Sequence, residues 1–285
     1  MKVLSYRRGD DVGYGVVNDS EDAFVPVEGA FLDRCPSIRA VLEQGALSEL
    51  ETWASGRSAH MGFDEISFLP PLHNAEKVIC IGVNYPKRHP VEGDIPPPEN
   101  ISVFGKFEGS VVGHLEPLIY PPSPACETFD YEGELVLIIG KEGRFIEKDK
   151  AFDHIAAYTM MNDGSVRGWQ KHSVPAGKNF ASGSASGPWI VTADEIDDPF
   201  KMTLSTRLNG EQVQHTTVDQ MIFNIPTLVN YVSTFLHLKP GDIISTGSPA
   251  GSGGSRVPQR FLKVGDELEI EWSGIGVLKN RVERA

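Results

Sequence analysis

The sequence predicts an α+β, strand-rich chain, with a small N-terminal α/β unit over residues 1–70 and a larger unit over 71–285. Three observations carry this. Short alternating or continuously apolar runs recur along the chain, helical spacing is confined to a few segments, and Pro70-Pro71 interrupts the pattern. In order, residues 2–6, 13–17 and 23–27 alternate apolar with polar side chains and read as strands, with turns at Gly9-Asp10 and Asn18-Asp19. Residues 37–42 and 47–53 have helical composition, separated by Gly45 and closed by Gly56. Past the prolines, residues 78–83 form a continuous apolar run, as in a strand covered on both faces. An acidic segment from Asp130 turns into the apolar run 135–139 and stops at Gly140. Residues 156–161 read as a strand ending at Asn162-Asp163-Gly164, a turn or helix start that leaves Asp163 at a strand terminus. One amphipathic helix follows: Pro226 suits its first turn, Leu228, Val229, Val232, Phe235 and Leu236 share a face, and Lys239-Pro240-Gly241 stops it. Residues 242–246 and 267–272 return to strands.

Composition narrows the function. With 26 Lys+Arg against 39 Asp+Glu the formal charge is −13, a field that repels nucleic-acid phosphates and anionic lipid. No apolar run spans a bilayer, and the first residues lack the apolar core of a signal peptide, so a cytoplasmic protein is expected. Cys35, Cys80 and Cys126 are odd in number, widely spaced and without a CxxC pair, which argues against a disulfide framework or a thiolate metal site.

Asp130, Glu132 and Glu134 stand at alternate positions, so on one continuous strand their carboxylates share a face. Like charges that close need proton uptake or a cation, and a hard divalent ion such as Mg²⁺ or Mn²⁺ suits an all-oxygen cluster. A solvated polar edge leading into a buried strand is the alternative. His89 is followed three residues later by Glu92, a carboxylate able to orient a general base, although a histidine in a polar loop is more often a plain surface group. Arg167 could pair with a surface acid and Gln170 could cap a helix. The glycines of 247–254 lack the Lys-Ser/Thr of a P-loop and a GxGxxG arrangement, so they serve close backbone approach rather than a nucleotide.

Four segments taken in order, NYPKRHPVEG (84–93), DYEGELVLIIG (130–140), NDGSVRGWQ (162–170) and STGSPAGSG (245–253), resemble the fumarylacetoacetate hydrolase family. GKNF (177–180), SGPW (186–189), LNGEQVQ (208–214), LKPGDIISTG (238–247) and FLKVGDELEIE (261–271) extend the resemblance from about Lys77 to Asn280. It implies a mixed β-sheet roll with peripheral helices behind a small N-terminal unit, and a homodimer. It also implies that Glu132, Glu134 and Asp163 hold one Mg²⁺ or Mn²⁺, with Asp130 outside the ligand set. Three carboxylates leave positions open for water and substrate oxygens. The resemblance further assigns His89 and Glu92 to activation of a water, Lys178 to stabilising developing negative charge, and Arg167, Gln170 and Ser248 to binding a 2-oxo acid substrate.

Some positions depart from the family. The histidine lies five residues after the asparagine where relatives have four, and Ser248 replaces a threonine. The implied reaction is hydrolysis of the C3–C4 bond of an acylpyruvate, such as fumarylpyruvate or maleylpyruvate, to pyruvate and a carboxylic acid. The same electron withdrawal serves decarboxylation or enol–keto isomerisation of a 2-oxo acid such as oxaloacetate, which is the alternative. A non-catalytic Ca²⁺-binding β module is a third reading, and it leaves the HPVE, NDGSVRGWQ and GKNF segments without a common purpose.

Overall fold

The computed structural model of the chain describes residues 1–89 and 93–285, and the side chains of residues 87–95 are outside the description. The strands that position the site are β1 (Lys2–Arg8), β2 (Asp11–Val17), β3 (Ala23–Pro26), β4 (Val78–Gly82), β5 (Ser102–Gly105), β6 (Gly133–Ile139) and β7 (Ile155–Asn162). They continue with β8 (Ser184–Thr192), β9 (Thr203–Leu208), β10 (Glu211–Thr217), β11 (Ile243–Ser245), β12 (Glu267–Trp272) and β13 (Gly276–Glu283). The helices are α1 (Gly29–Arg34), α2 (Ile38–Glu43), α3 (Leu47–Ala54), α4 (Arg167–Gln170), α5 (Val174–Lys178) and α6 (Ile225–Phe235).

The larger sheet runs β3-β2-β1-β8-β7-β6-β11-β4-β5, and a smaller one runs β13-β12-β9-β10. In the larger sheet β6 pairs antiparallel with β7 and β11, whereas β11 and β4 are parallel, so the sheet is mixed. Strand β1 pairs with β8, which places the N-terminal strands in the same sheet as those of the larger unit. The expected strand-rich α+β class with mixed sheets and peripheral helices is what the chain adopts.

Strand β6 is apolar at successive positions because both of its faces are covered. Leu135, Leu137 and Ile139 enter a core shared with Leu204, Leu268, Ile270 and Trp272 of the smaller sheet and with Leu228, Val229 and Val232 of α6. Val136 and Ile138 enter a second core against Ile38, Val41 and Leu42 of α2 and Leu50 of α3. Each such side chain contributes about 1.5–3 kcal/mol of burial free energy, which makes β6 a rigid base for the acidic residues at its start.

Helix α6 begins where the proline predicts, and Asn224 caps it, its Oδ1 accepting the N–H of Thr227 at 3.0 Å. It ends at Phe235, before the Lys-Pro-Gly stop, as Leu236 becomes extended. Helix α1 was not expected: it buries no residue and so carries no apolar spacing.

His114 gives the fold a measurable acid sensitivity. Its ring meets Phe68 edge-on at 4.8 Å, and its Nδ1 accepts the N–H of Lys279 at 3.0 Å, which requires that nitrogen to be unprotonated. Burial, with a contribution from Lys279, pushes its pKa down to about 4. Between that value and the ordinary histidine range the unfolded chain binds the extra proton, so stability is lost as pH falls through this window. We expect a loss of about 2–3 kcal/mol between pH 7 and pH 4 from this group. His114→Gln should flatten that part of the urea-midpoint profile, and an unchanged slope would exclude the assignment.

Candidate metal centre

The acidic run does not form one strand. Phe129–Asp130 pairs with Ser165–Val166 in a separate small sheet, and β6 begins only at Gly133. The break has a cause at Gly133: a Cβ there would lie 2.5 Å from Thr206 Oγ1, and its N–H donates to Gln214 Oε1 at 3.0 Å. Asp130 consequently leaves the shared face that strict alternation predicted. Its Oδ1 accepts Gly253 N–H at 2.7 Å, and its Oδ2 accepts Gly254 N–H at 2.9 Å and Arg167 Nε–H at 2.7 Å. Asp130 therefore ties the glycine-rich loop after β11 to Arg167.

Glu132 and Asp163 are brought together by their backbones. Glu132 N–H donates to Asn162 Oδ1 at 3.0 Å, and Asp163 N–H donates to Glu132 O at 2.8 Å. Gly164 lets the chain turn there, because a Cβ would lie 1.7 Å from Gly183 O. Glu134, on β6, is held by β11 and its loop: Ser245 Oγ–H donates to Oε2 at 2.6 Å and Gly247 N–H at 3.0 Å. One carboxylate oxygen from each of Glu132, Glu134 and Asp163 lies within 4.8 Å of the others, and all three residues are buried.

Cations surround this cluster. Lys178, at the end of α5, ion-pairs with both Glu132 Oε2 and Asp163 Oδ2. Its placement follows from the cap of α5, where Ser173 Oγ accepts Ala176 N–H at 3.2 Å and Pro175 sits in the first turn. Burial works against the Lys178 charge, but Asp163 and Glu132 outweigh it and hold the pKa above the ordinary lysine value. Arg167 likewise stays charged against burial because Glu132 and Asp130 face it, with Nη2 2.8 Å from Glu132 Oε1. Lys106, which the sequence did not single out, has a fully buried side chain and places its ammonium 2.6 Å from Asp163 Oδ1. A lysine directly after strand β5, between Phe107 and the buried Phe104, was the available signal.

The donor set fits a hard divalent ion. It is all oxygen, buried and convergent. The Glu134 carboxyl is pushed up to about 8 by burial, with Asp163 and Glu132 adding to the rise. Lys178, lying against two of the carboxylates, stands where a cation is favourable.

Of the other expected site residues, Gln170 Oε1 is 3.5 Å from Arg167 Nη1. Ser248 is buried beside Gly247, whose N–H reaches Glu134. The backbone of His89 pairs with Gly93, its side chain is not described, and Glu92 lies outside the described residues. A cavity of about 560 Å³ flanked by His73, Thr159, Met161 and Ser186 shares Lys106 with the site but none of the three carboxylates.

Fold and site together define an enzyme built on an acidic, oxygen-donor centre in a mixed-sheet scaffold. The chain belongs to the fumarylacetoacetate hydrolase family, whose C-terminal domain model, fumarylacetoacetate (FAA) hydrolase C-terminal, matches residues 77–283. It is 37% identical over 252 residues to the mitochondrial oxaloacetate tautomerase fahd2 of Xenopus laevis, covering 86% of this chain and 78% of that one. It is 35% identical over 246 residues to the oxaloacetate tautomerase YisK of Bacillus subtilis, covering 82% and 80%. Among solved structures, a fumarylacetoacetate hydrolase from Exiguobacterium antarcticum superposes with a TM-score of 0.84 at 29% identity, covering 100% of both chains.

These relatives correct the expectation of acylpyruvate hydrolysis. The Xenopus and Bacillus relatives are named for tautomerisation, not for cleavage of a carbon–carbon bond. The residues could not separate the two, because both reactions withdraw electrons from the same 2-oxo acid oxygens. The Xenopus relative is also named mitochondrial, so the cytoplasmic expectation has no support from it. Among the described residues no helix is long and apolar enough to cross a membrane.

Proposed function

We propose that the chain interconverts the enol and keto forms of oxaloacetate, or of a closely related 2-oxo acid, at a Mg²⁺ or Mn²⁺ centre held by Glu132, Glu134 and Asp163. The observation that carries this is the convergence of three buried carboxylates in a chain whose relatives include oxaloacetate tautomerases. A divalent ion there would supply Lewis-acid withdrawal from the carboxylate and 2-oxo oxygens.

Ketonisation breaks the enol O–H bond and releases that proton to solvent; the pair left on oxygen reforms the C=O, and the C=C pair takes a proton at C3. The reverse direction removes a proton from C3 and returns one to oxygen. Lys178, kept charged by Glu132 and Asp163, donates a hydrogen bond to the C2 oxygen where negative charge gathers. Arg167 reaches Gln170 through Nη1, and this pair recognises a substrate carboxylate, with Ser248 as a further donor. His89 exchanges the proton at C3, with Glu92 assigned as the carboxylate that supports its basicity. No nucleophilic water is required. A homodimer is part of the same proposal and is read by light scattering.

The test is the decay of enol absorbance after freshly dissolved enol-oxaloacetate is mixed with Mn²⁺-loaded protein, with pyruvate assayed in parallel. We expect at least about 10²-fold acceleration over the metal-chelated protein, without matching pyruvate release. Pyruvate appearing as fast as the enol vanishes would replace tautomerisation by decarboxylation. His89→Ala should lower the rate by about 10²–10⁴-fold and leave Mn²⁺ affinity unchanged; a variant as fast as the parent would remove His89 from the mechanism.

A further inference from the structure

We propose that Lys106 is a positioning residue that keeps Asp163 a one-oxygen ligand, so that the ion would retain one position beyond the two that a chelating 2-oxo acid takes. The inference rests on the reading that the carboxylate triad takes a divalent ion. Lys106 reaches the site from the end of β5, and its side chain is fully buried. Its ammonium lies 2.6 Å from Asp163 Oδ1, donates to Ser184 Oγ at 2.8 Å, and also donates to the backbone carbonyl of Lys178. These partners come from β8, from the end of α5 and from the turn after β7, so the ammonium is fixed from three directions.

The two oxygens of Asp163 consequently differ. Oδ1 faces Lys106, whereas Oδ2 faces Lys178 on the side of Glu132. The Lys106 contact is an ion pair without hydrogen-bond alignment, so it acts through charge and proximity. Both oxygens therefore face an ammonium, but the two ammonium groups are anchored differently. Lys106 is also held by Ser184 Oγ and the Lys178 carbonyl, away from the carboxylates, whereas the Lys178 ammonium donates to Glu132 and Asp163 themselves. The anchored charge beside Oδ1 repels a second cation from that oxygen, and Oδ2 is the one an ion could share by displacing Lys178. Glu134 is constrained similarly, since its Oε2 accepts both Ser245 Oγ–H and Gly247 N–H.

A six-coordinate Mg²⁺ or Mn²⁺ with three one-oxygen carboxylates keeps about three exchangeable positions. A chelating substrate needs two of them. If Asp163 turned to bind through both oxygens, about two would remain and no water could stay beside the substrate. Lys106 thus trades affinity for the ion against a position left open beside the bound substrate.

The test uses the full chain loaded with Mn²⁺. Water-proton relaxation and electron–nuclear double resonance on the parent protein should count about three exchangeable waters, and a count of two or fewer would overturn the proposal without any variant. Lys106→Met should lose about one of these waters and bind Mn²⁺ at least as tightly as the parent. Lys106→Arg, which restores a cation, should recover the water count. A Lys106→Met protein with the parent's water count would overturn the positioning role even if activity fell, because a purely structural defect leaves the count intact. Failure of the parent protein to bind Mn²⁺ at all would instead overturn the metal reading and this inference with it.

Discussion

Glu134→Gln is expected to abolish tautomerase activity, lower Mn²⁺ affinity by at least about 10²-fold and yet leave the metal-free protein as stable as the parent or more so. The opposite signs come from one residue's surroundings. Glu134 is buried, and its partners are a hydroxyl and a backbone N–H. Burial, then Asp163, push its carboxyl up to about 8. A carboxyl whose pKa is raised in the folded state gives stability that is fully present below its unfolded pKa and is lost as pH rises through the folded value. The metal-free parent should therefore lose stability between about pH 4.5 and pH 8, by an amount of order a few kcal/mol. The glutamine variant, with no proton to lose, should lack that slope. A divalent ion reverses the balance in the parent by replacing the proton, so thermal shift on adding Mn²⁺ should grow with pH for the parent and vanish for the variant. Retained Mn²⁺-dependent activity in Glu134→Gln would exclude Glu134 from the ligand set.

The site was legible in the sequence where residues act as a spaced set, and illegible where contact depends on the path of the chain. Glu134 and Asp163 carry local signals, an acidic position leading into a buried strand and an aspartate at a strand terminus, and the structure brings both within reach of Glu132. Asp130 shows the failure of alternation alone. A contact between Gly133 and the smaller sheet breaks the strand, and a one-residue change of backbone direction is enough to send the Asp130 carboxylate to Gly253 and Gly254 instead. Lys106 was invisible for a different reason. Its partner carbonyl at Lys178 is 72 residues away in sequence, and a single lysine closing an apolar strand has no periodic signature.

The fold divides in the same way. Strand β4 was readable as a doubly covered strand, and the apolar stripe of α6 as a core-facing helix, because burial imposes a pattern. Helix α1 has no fully buried residue and packs only Phe31 and Leu32, half-buried, against the second core, so no period marks it. The reaction was the least legible. Carboxylates, a lysine and an arginine around a 2-oxo acid serve hydrolysis and tautomerisation alike, and the difference lies in whether water is admitted to the bound substrate.

Lys178→Met should separate catalysis from ion binding in the direction opposite to Glu134→Gln. The Lys178 ammonium pairs with Glu132 and Asp163, so in the metal-free protein it occupies the ground where a divalent ion would be drawn. Removing it takes away a competing cation and leaves those carboxylates less compensated. Mn²⁺ affinity should accordingly stay level or rise, the metal-free protein should lose stability, and the thermal shift on adding Mn²⁺ should exceed that of the parent. Activity should nevertheless fall by about 10²–10³-fold, because the donor facing the C2 oxygen is gone. The loss should appear in kcat rather than KM, since the interaction strengthens as charge develops on that oxygen. Calorimetric titration with Mn²⁺ and initial rates on the same samples decide the matter. A variant that binds Mn²⁺ more weakly and keeps its kcat would show that Lys178 supports the ion site rather than the proton transfer, and would leave Arg167 as the cation nearest the reacting oxygens.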